Sequence, residues 1–179
     1  MRKVFILFFC AVAVCSVFLF ADEDKPLADG VKIDKIVIFK KQREMRVFQN
    51  GVYLKAYKVA LGPDPVGAKQ CQGDGKTPEG VYKIDGKNPN SLYHKNLSVS
   101  YPNEQDKKNA LTKCGNKNAG GDIKIHGIGK KYGFLGKLAA QSDWTLGCIA
   151  VSNEEIDEIY QHTPVGARVE IYAGIMESK

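Results

Sequence analysis

The alternation of apolar and polar residues across residues 35–62 constrains the fold most. This segment reads KIVIFKKQREMRVFQNGVYLKAYKVALG, and the alternation breaks at KKQRE and at Asn50-Gly51. A period of two places successive side chains on opposite faces of a strand, and Asn-Gly is a favoured two-residue hairpin turn because both positions accept positive φ. The segment therefore predicts three antiparallel strands joined by tight turns.

The middle of the chain is richer in turns. Residues 61–80 are dense in Gly and Pro, and a strand resumes at Val81–Ile84. Residues 86–121 are polar and irregular, with LSVSYP as a short strand and NEQDKKNALTKC as a surface helix. Because this stretch is long for a simple connection, we expect it to shape a site.

The last third of the chain combines short strands with one helix. GDIKIHGIGK reads as a strand that ends at His126, and residues 129–143 form a loop or short helix. The SNEE sequence, with Ser152 at the N-cap and Glu155 three residues later, is a capping box that starts a helix, and ARVEIY is the final strand. The pattern predicts a mostly β domain with short helices, of the α+β class with a mostly antiparallel sheet.

The N-terminus has the order of an export signal. A basic start is followed by 18 uncharged residues, 4–21, and then by the acidic run Asp22-Glu23-Asp24. The apolar run is near the lower limit for a membrane span, so a cleaved signal peptide and a retained N-terminal membrane anchor both fit residues 1–21. We expect an exported chain, with a linker at 22–30 and one domain at 31–175.

The charge of the chain is weakly informative. The formal charge is +6, and loss of Arg2 and Lys3 with the export segment would leave +4. The lysines are scattered, which is typical of a solvated surface, so no nucleic-acid partner is expected. A basic balance favours an anionic surrounding such as cell wall.

Cysteine usage is more informative than charge. Residues 22–179 contain three cysteines, Cys71, Cys114 and Cys148, an odd number for a compartment where disulfides form. Cys71 and Cys114 lie in loop-like sequence, where a bridge between them and two unbonded thiols are both open. If the bridge exists, Cys148 is the free thiol.

Cys148 lies in DWTLGCIAVSN, directly after Gly147 and just before the predicted helix start. A nucleophilic thiol needs a base, oxyanion donors and partial exposure, and backbone N–H groups at a glycine could supply the donors. The alternative is a buried apolar residue beside Leu146 and Ile149.

His126 is the candidate base. It alone of the three histidines ends an apolar strand, whereas His94 and His162 lie in polar loop and helix-end sequence. A satisfied core histidine is the alternative. HExxH and paired-Cys spacings are absent from the sequence, so neither a metal nor a cofactor is expected.

These motifs together resemble a known family. IHG, followed after an 18-residue gap by TLGCIAVSN, is similar to the signature of the L,D-transpeptidase (YkuD-type) catalytic domain, and GDGKTPEGVYKI, SVSYPN and GGDIKIHG also resemble its compact murein-acting branch. The resemblance covers about residues 33–172. It implies an antiparallel β-sandwich-like catalytic domain with Cys148 as nucleophile and His126 as base. It further implies orienting or oxyanion roles for Gly147, Thr145 and Gly127, and substrate-binding roles for Asn153 and Tyr101.

Two positions depart from the family pattern. Leu146 stands where many members have a second histidine, and Ala150 stands where many have an arginine. Substrate recognition by that arginine therefore does not carry over.

The resemblance implies acyl transfer on peptidoglycan stem peptides, in cell-wall biogenesis and cell shape. It thereby implies that the exported chain is located in the bacterial periplasm or cell-wall space. Cys148 would attack the carbonyl of an L-centre at its bond to a D-residue and form a thioester. An amine from another stem peptide would give a crosslink, an amine of a wall-anchored protein would give attachment, and water would give hydrolysis. A hydrolytic relative, such as an L,D-carboxypeptidase, murein endopeptidase or amidase, is the first alternative, and a non-catalytic wall-binding module is the second.

Overall fold

A three-stranded antiparallel meander opens the fold in the computed structural model, which describes residues 25–116 and 118–175. Strands β1 (Lys35–Phe39), β2 (Glu44–Gln49) and β3 (Val52–Lys58) pair in sequence order. Asn50 and Gly51 both have positive φ, 50° and 80°, as their hairpin turn requires. The prediction of three strands and an Asn-Gly turn is confirmed.

The predicted export segment, residues 1–21, lies outside the described residues. Among the residues that the structure does describe, none belongs to a helix long and apolar enough to cross a membrane.

The remaining strands extend the meander into a curled mixed sheet. They are β4 (Gly80–Ser91), β5 (His94–Val99), β6 (Lys124–His126), β7 (Ile149–Ala150) and β8 (Arg168–Tyr172). The sheet order is β3-β2-β1-β8-β4-β5-β6-β7, in which β1 with β8 and β6 with β7 are parallel pairs and the other neighbours are antiparallel. The predicted mostly β class with short helices is confirmed.

Strand β4 joins the two halves of the sheet. Its first residues pair with β8, its later residues pair with β5, and the register shifts between Ile84 and Gly86. Ala60, just beyond β3, forms an isolated bridge with Ala150 through two backbone hydrogen bonds of 2.9 Å. The two ends of the sheet therefore approach each other, which brings the loop after β3 beside the Cys148 segment.

The hairpin of β4 and β5 is longer than the sequence predicted. We expected residues 86–91 to be irregular, but β4 continues through them to Ser91. The expectation was wrong because Asn88 and Asn90 are exposed on a hairpin whose stability comes from backbone pairing with β5, so no apolar alternation marks the strand.

Three short helical segments complete the fold. Helix α1 (Glu104–Lys113) and helix α2 (Asn153–His162) both start with a capping box, at Asn103 and Ser152 respectively. Both helices were predicted, and α2 buries Ile156 and Ile159 against the sheet. A 3₁₀ segment at Lys130–Gln141, broken at Gly136, occupies the predicted loop or short helix.

A disulfide covalently links the loop after β3 to the C-terminal end of α1. Cys71 is bonded to Cys114 across a sequence separation of 43 residues, and Cys148 remains a free, partly exposed thiol. The sequence had left the bridge open, because connectivity depends on a spatial approach that loop composition does not encode.

Removing this disulfide should destabilise the domain. We expect the Cys71→Ala/Cys114→Ala variant to lose about 2–4 kcal/mol of unfolding free energy, because the bridge restricts a long loop in the unfolded chain. Urea denaturation with and without reductant measures the effect. Reductant should destabilise the wild type alone; equal destabilisation of the double variant would argue against this assignment.

Candidate active site

His126 and Cys148 come together because their strands are neighbours. Strand β6 pairs in parallel with β7, with Ile125 opposite Ile149 and His126 opposite Ala150, and Cys148 immediately precedes β7. Both side chains line a cleft of about 640 Å³. Its walls are the loop after β3 (residues 63–75), residues 120–123 and the segment before Cys148.

Thr145 shapes the turn that presents Cys148. Its hydroxyl donates to the Cys148 carbonyl oxygen at 2.7 Å and accepts from the Gly147 N–H at 3.2 Å. Thr145 is buried. Its two hydrogen bonds therefore fix the cysteine turn, and the Gly147 N–H is engaged inside that turn.

Gly147 has no room for a side chain. A Cβ atom there would lie 2.4 Å from the Lys76 carbonyl oxygen, and the φ of Gly147 is +117°. The same close approach recurs at Gly62, where a Cβ would lie 2.0 Å from the Gly75 carbonyl oxygen. Backbone therefore packs directly on backbone between the cysteine turn and the loop after β3.

The His126 ring is held in one tautomer by its neighbour. Its Nδ1 lies 2.6 Å from the Gly127 carbonyl oxygen, so Nδ1–H donates and Nε2 is left as the unprotonated acceptor. Burial lowers the pKa of His126, and the positive charge of Lys124 lowers it further, against the opposing effect of the Gly127 hydrogen bond. The resting imidazole is therefore neutral and able to accept a proton.

The Cys148 thiol is also neutral at rest. Its S–H points to the Asp122 carbonyl oxygen, with 3.6 Å between Sγ and O. Burial raises the pKa of Cys148, and the Asp122 carboxylate raises it further, against the opposing effects of the Lys124 backbone N–H and of the Lys124 and Lys69 ammonium groups. The pair is thus a thiol and a neutral imidazole, and the thiolate must form as the proton leaves.

Two aromatic side chains enclose the histidine, and sequence analysis missed both. The Tyr93 ring centroid lies 4.7 Å from that of His126, and the Trp144 centroid lies 5.7 Å from it. The Trp144 indole N–H donates to the Ala139 carbonyl oxygen at 3.1 Å. The signal available was that Trp144 lies four residues before Cys148 and that Tyr93 lies in the long polar stretch already expected to shape a site.

The two predicted substrate-binding residues lie outside the cleft lining. Tyr101 belongs to the core, where it is 5% exposed and its hydroxyl donates to the Ala119 carbonyl oxygen at 3.0 Å. The Asn153 side chain accepts from the Ile128 N–H at 3.0 Å. Tyr101 therefore supports the segment leading to residues 120–123, and Asn153 braces the loop after His126. Gly127, predicted to orient, supplies the carbonyl that holds His126.

Asp143 anchors the cysteine segment from outside the cleft. Its carboxylate accepts from the Arg43 guanidinium at 2.6–3.0 Å and from the Leu61 N–H at 2.9 Å. Arg43 lies in the turn between β1 and β2, 100 residues away in sequence. Sequence analysis missed this pair because nothing local links the two positions.

Buried charges stiffen the loop after β3. The Lys69 ammonium lies 2.8 Å from Asp74 in the cleft wall, and Asp74 also accepts three backbone N–H bonds. Burial opposes ionisation of Asp74, but these hydrogen bonds prevail and lower its pKa to about 2. Lys40, 1% exposed, donates to the Gly67 and Thr77 carbonyls and to Glu79. These contacts therefore hold the loop after β3 in a fixed conformation at the side of the cleft.

The positions that depart from the family pattern have different surroundings. Leu146 is 86% exposed at the cleft, whereas Ala150 is 1% exposed in the sheet. Within residues 25–116 and 118–175, no cluster of three or more His, Cys, Asp or Glu side chains could hold a metal ion.

Comparisons with known proteins identify the family of this chain. The sequence profile of the YkuD family, the L,D-transpeptidase catalytic domain, matches residues 33–171. YafK of Escherichia coli (strain K12), whose name places it among the L,D-transpeptidases, is 31% identical over 133 residues, which cover 70% of this chain and 45% of YafK. YqjB of Bacillus subtilis (strain 168), named likewise, is 27% identical, with 87% and 82% of the two chains covered.

A solved structure with the same fold is the helical cell shape determining protein Pgp2 from Campylobacter jejuni. It is 26% identical with a TM-score of 0.61, and the match covers 87% of this chain and 53% of Pgp2. The chain thus spans about half the length of YafK and of Pgp2. With the profile match running from before β1 to within β8, the chain belongs to the YkuD family of L,D-transpeptidase catalytic domains.

Proposed function

We propose that this chain is an exported cysteine acyltransferase that acts on peptidoglycan stem peptides. The observation that carries the proposal is the convergence of a free thiol, Cys148, and a buried neutral imidazole, His126, on one cleft from adjacent strands. The only other described cysteines are held in a disulfide.

The proposed first step makes a thioester. The His126 Nε2 takes the thiol proton while the Cys148 sulfur attacks the carbonyl of an L-centre at its bond to a D-residue. The C–N bond breaks, and the imidazolium returns the proton to the leaving amine. The Gly127 carbonyl stabilises the imidazolium formed in between, because it already accepts the Nδ1–H.

The second step transfers the acyl group. An incoming amine attacks the thioester and gives its proton to His126, and the C–S bond breaks. Cys148 leaves as a thiolate and recovers that proton. With an amine of a second stem peptide the product is a crosslink, which we propose as the main reaction, and an amine of a wall-anchored protein is an alternative acceptor.

The test uses purified domain and muropeptides with tetrapeptide stems, with products read by mass spectrometry. A crosslinked dimer that has lost a terminal D-residue supports the transferase. A tripeptide alone would instead establish the hydrolytic alternative, and unchanged substrate with wild-type protein would favour a wall-binding module.

The pH dependence of Cys148 alkylation checks the neutral resting pair. Burial raises the thiol pKa and lowers the His126 pKa, so the thiol proton is not transferred to the imidazole at rest. We expect the iodoacetamide rate constant to rise about tenfold per pH unit between pH 6 and 8 with no plateau, as the thiolate fraction requires below a thiol pKa. A rate that is flat across this range would indicate a preformed thiolate–imidazolium pair.

A further inference from the structure

The connection between β6 and the cysteine turn carries an exposed apolar surface. The 3₁₀ segment Lys130–Gln141 buries none of its residues, and three of its large side chains face solvent, Tyr132 being 50% exposed, Phe134 82% and Leu138 60%. The cleft is lined by other residues, which lie before and after this segment in the chain. Because exposed large apolar side chains concentrated in one segment mark an interaction surface, this surface calls for a partner other than the cleft.

The same segment is cationic. It contains three exposed lysines, Lys130, Lys131 and Lys137, and its sequence has no acidic residue. The Lys131 ammonium lies 5.2 Å from the centroid of the Tyr132 ring, so cationic and apolar groups stand side by side. An anionic lipid bilayer complements such a surface, because its head groups attract ammonium groups and its acyl boundary accepts apolar side chains.

The acidic residues of the neighbouring helix α2 are largely engaged within the domain. Glu155 accepts the N–H of the helix N-cap at 2.9 Å. Asp157 lies 2.6 Å from the Lys95 ammonium, and Glu158 lies 2.9 Å from the Lys55 ammonium. Three of the four acidic residues of α2 therefore have partners, so they oppose the approach of an anionic surface less than solvated carboxylates would.

The route by which the chain enters the domain favours the same partner. Leu27 and Lys137 line one surface pocket, so the start of the domain lies beside the 3₁₀ segment. The Lys25 carbonyl oxygen is held by the Lys55 ammonium at 2.9 Å. The apolar run of residues 4–21 ends four residues before Lys25, which an extended chain spans in at most about 14 Å. A run retained in a bilayer would therefore keep the 3₁₀ segment close to that bilayer.

We propose that the segment Lys130–Gln141 docks the domain on an anionic phospholipid bilayer. Phe134 and Leu138 enter the interfacial region, while Lys130 and Lys131 contact lipid phosphate groups. The contact is peripheral and reversible, and it leaves the cleft open because other residues line it. Docking is independent of the proposed acyl transfer.

Trp144 provides a reporter for this segment. It is the only tryptophan of the chain and is 36% exposed, and its indole N–H donates to the carbonyl oxygen of Ala139, within the segment, at 3.1 Å. Its fluorescence emission should therefore move to shorter wavelengths when the segment meets a bilayer, and lipids with brominated acyl chains should quench it.

The test titrates the chain from Asp22 onward with lipid vesicles. The described buried core runs from Ile33 to Ile171, so this chain contains the whole fold. One set of vesicles is an equal mixture of phosphatidylglycerol and phosphatidylcholine, and the other is phosphatidylcholine alone. Binding is measured by co-sedimentation at low and high salt, together with Trp144 emission. The full-length chain, reconstituted in the same vesicles, is examined for quenching by brominated lipid.

We expect binding to anionic vesicles that weakens at high salt and is at least about tenfold weaker on phosphatidylcholine. Phe134→Ser/Leu138→Ser should lower the partition coefficient at least about tenfold, because burial of one large apolar side chain is already worth that factor. Lys130→Gln/Lys131→Gln should lower it about fivefold per lysine on anionic vesicles, with little effect on phosphatidylcholine. Melting temperatures should be unchanged, since all four side chains are exposed.

Leu111→Ser is the matched control. Leu111 lies on α1, is 84% exposed and belongs to a different surface, so its substitution should leave the partition coefficient within about twofold. Failure of the parent chain to bind anionic vesicles at millimolar lipid would overturn the proposal. Equal binding by Phe134→Ser/Leu138→Ser, or binding that ignores lipid charge, would overturn it as well.

Other occupants of the surface give different results. A dimer in lipid-free sedimentation velocity that Phe134→Ser/Leu138→Ser abolishes, with vesicle binding unchanged, would assign the surface to a second copy of the chain. Loss of muropeptide turnover in that variant, again with vesicle binding unchanged, would assign it to the substrate. Either result overturns membrane docking. Muropeptides left unchanged by the wild-type protein would instead contradict the proposed function, because vesicle binding is measured without turnover.

Discussion

Cys148→Ala should abolish turnover of muropeptides and leave the fold intact. We expect a loss of roughly 10⁴-fold or more, because removal of a nucleophile leaves only binding and polarisation of the carbonyl. The thiol is partly exposed, and its hydrogen bond to the Asp122 carbonyl oxygen is long, 3.6 Å, so its loss should change the unfolding free energy by less than about 1 kcal/mol. Product analysis and thermal denaturation measure the two effects.

His126→Asn is the companion variant. Its amide N–H can still donate toward the Gly127 carbonyl, but the base at Nε2 is gone, so we expect a loss of about 10²- to 10⁴-fold. Cys148→Ser serves as the control that keeps an atom in place of the sulfur, so that loss of side-chain volume is separated from loss of the thiol. Large losses of stability in the Cys148→Ala and His126→Asn proteins would instead assign both residues to the core.

Gly147→Ala should disrupt both stability and activity. The new methyl group would lie 2.4 Å from the Lys76 carbonyl oxygen, and alanine disfavours a φ of +117°. We expect a cost of about 2–5 kcal/mol from strain and overpacking, together with displacement of the adjacent Cys148. Urea denaturation and the Cys148 alkylation rate report the two consequences.

Gly166→Ala separates the two causes. Gly166 also has a positive φ, +94°, but a Cβ there meets nothing within 4 Å. Its substitution should cost about 1–2 kcal/mol and leave alkylation unchanged, because only the backbone preference is lost. If Gly147→Ala is no more damaging than Gly166→Ala, backbone packing at the cysteine turn is less tight than the structure indicates.

Local sequence signals located the elements that depend on local physics. Asn50-Gly51 adopts positive φ, and Ser152 caps α2 through Glu155, because these preferences need no distant partner. His126 and Cys148 were proposed as a pair from the strand-end position of the histidine and from the resemblance of the IHG and TLGCIAVSN motifs to the family signature. The parallel pairing of β6, which ends at His126, with β7, which starts just after Cys148, came from the structure.

Contacts between distant segments were not readable from the sequence. The Arg43–Asp143 pair and the Cys71–Cys114 bridge depend on how the sheet curls, which single-segment periodicity does not encode. The burial of Asn96 was equally hidden, because an asparagine in a polar hairpin looks solvated in the sequence. Polar strands and contacts between distant polar residues therefore could not be predicted from the sequence.

The covalent intermediate tests the central claim most directly. Purified wild-type domain is mixed briefly with a tetrapeptide muropeptide, quenched in acid, and examined by intact-protein and peptide mass spectrometry beside Cys148→Ala. The account predicts an adduct with the mass of the stem peptide without its terminal D-residue, attached to Cys148 and absent from the variant. Turnover that proceeds equally in Cys148→Ala, or an adduct on another residue, would contradict it.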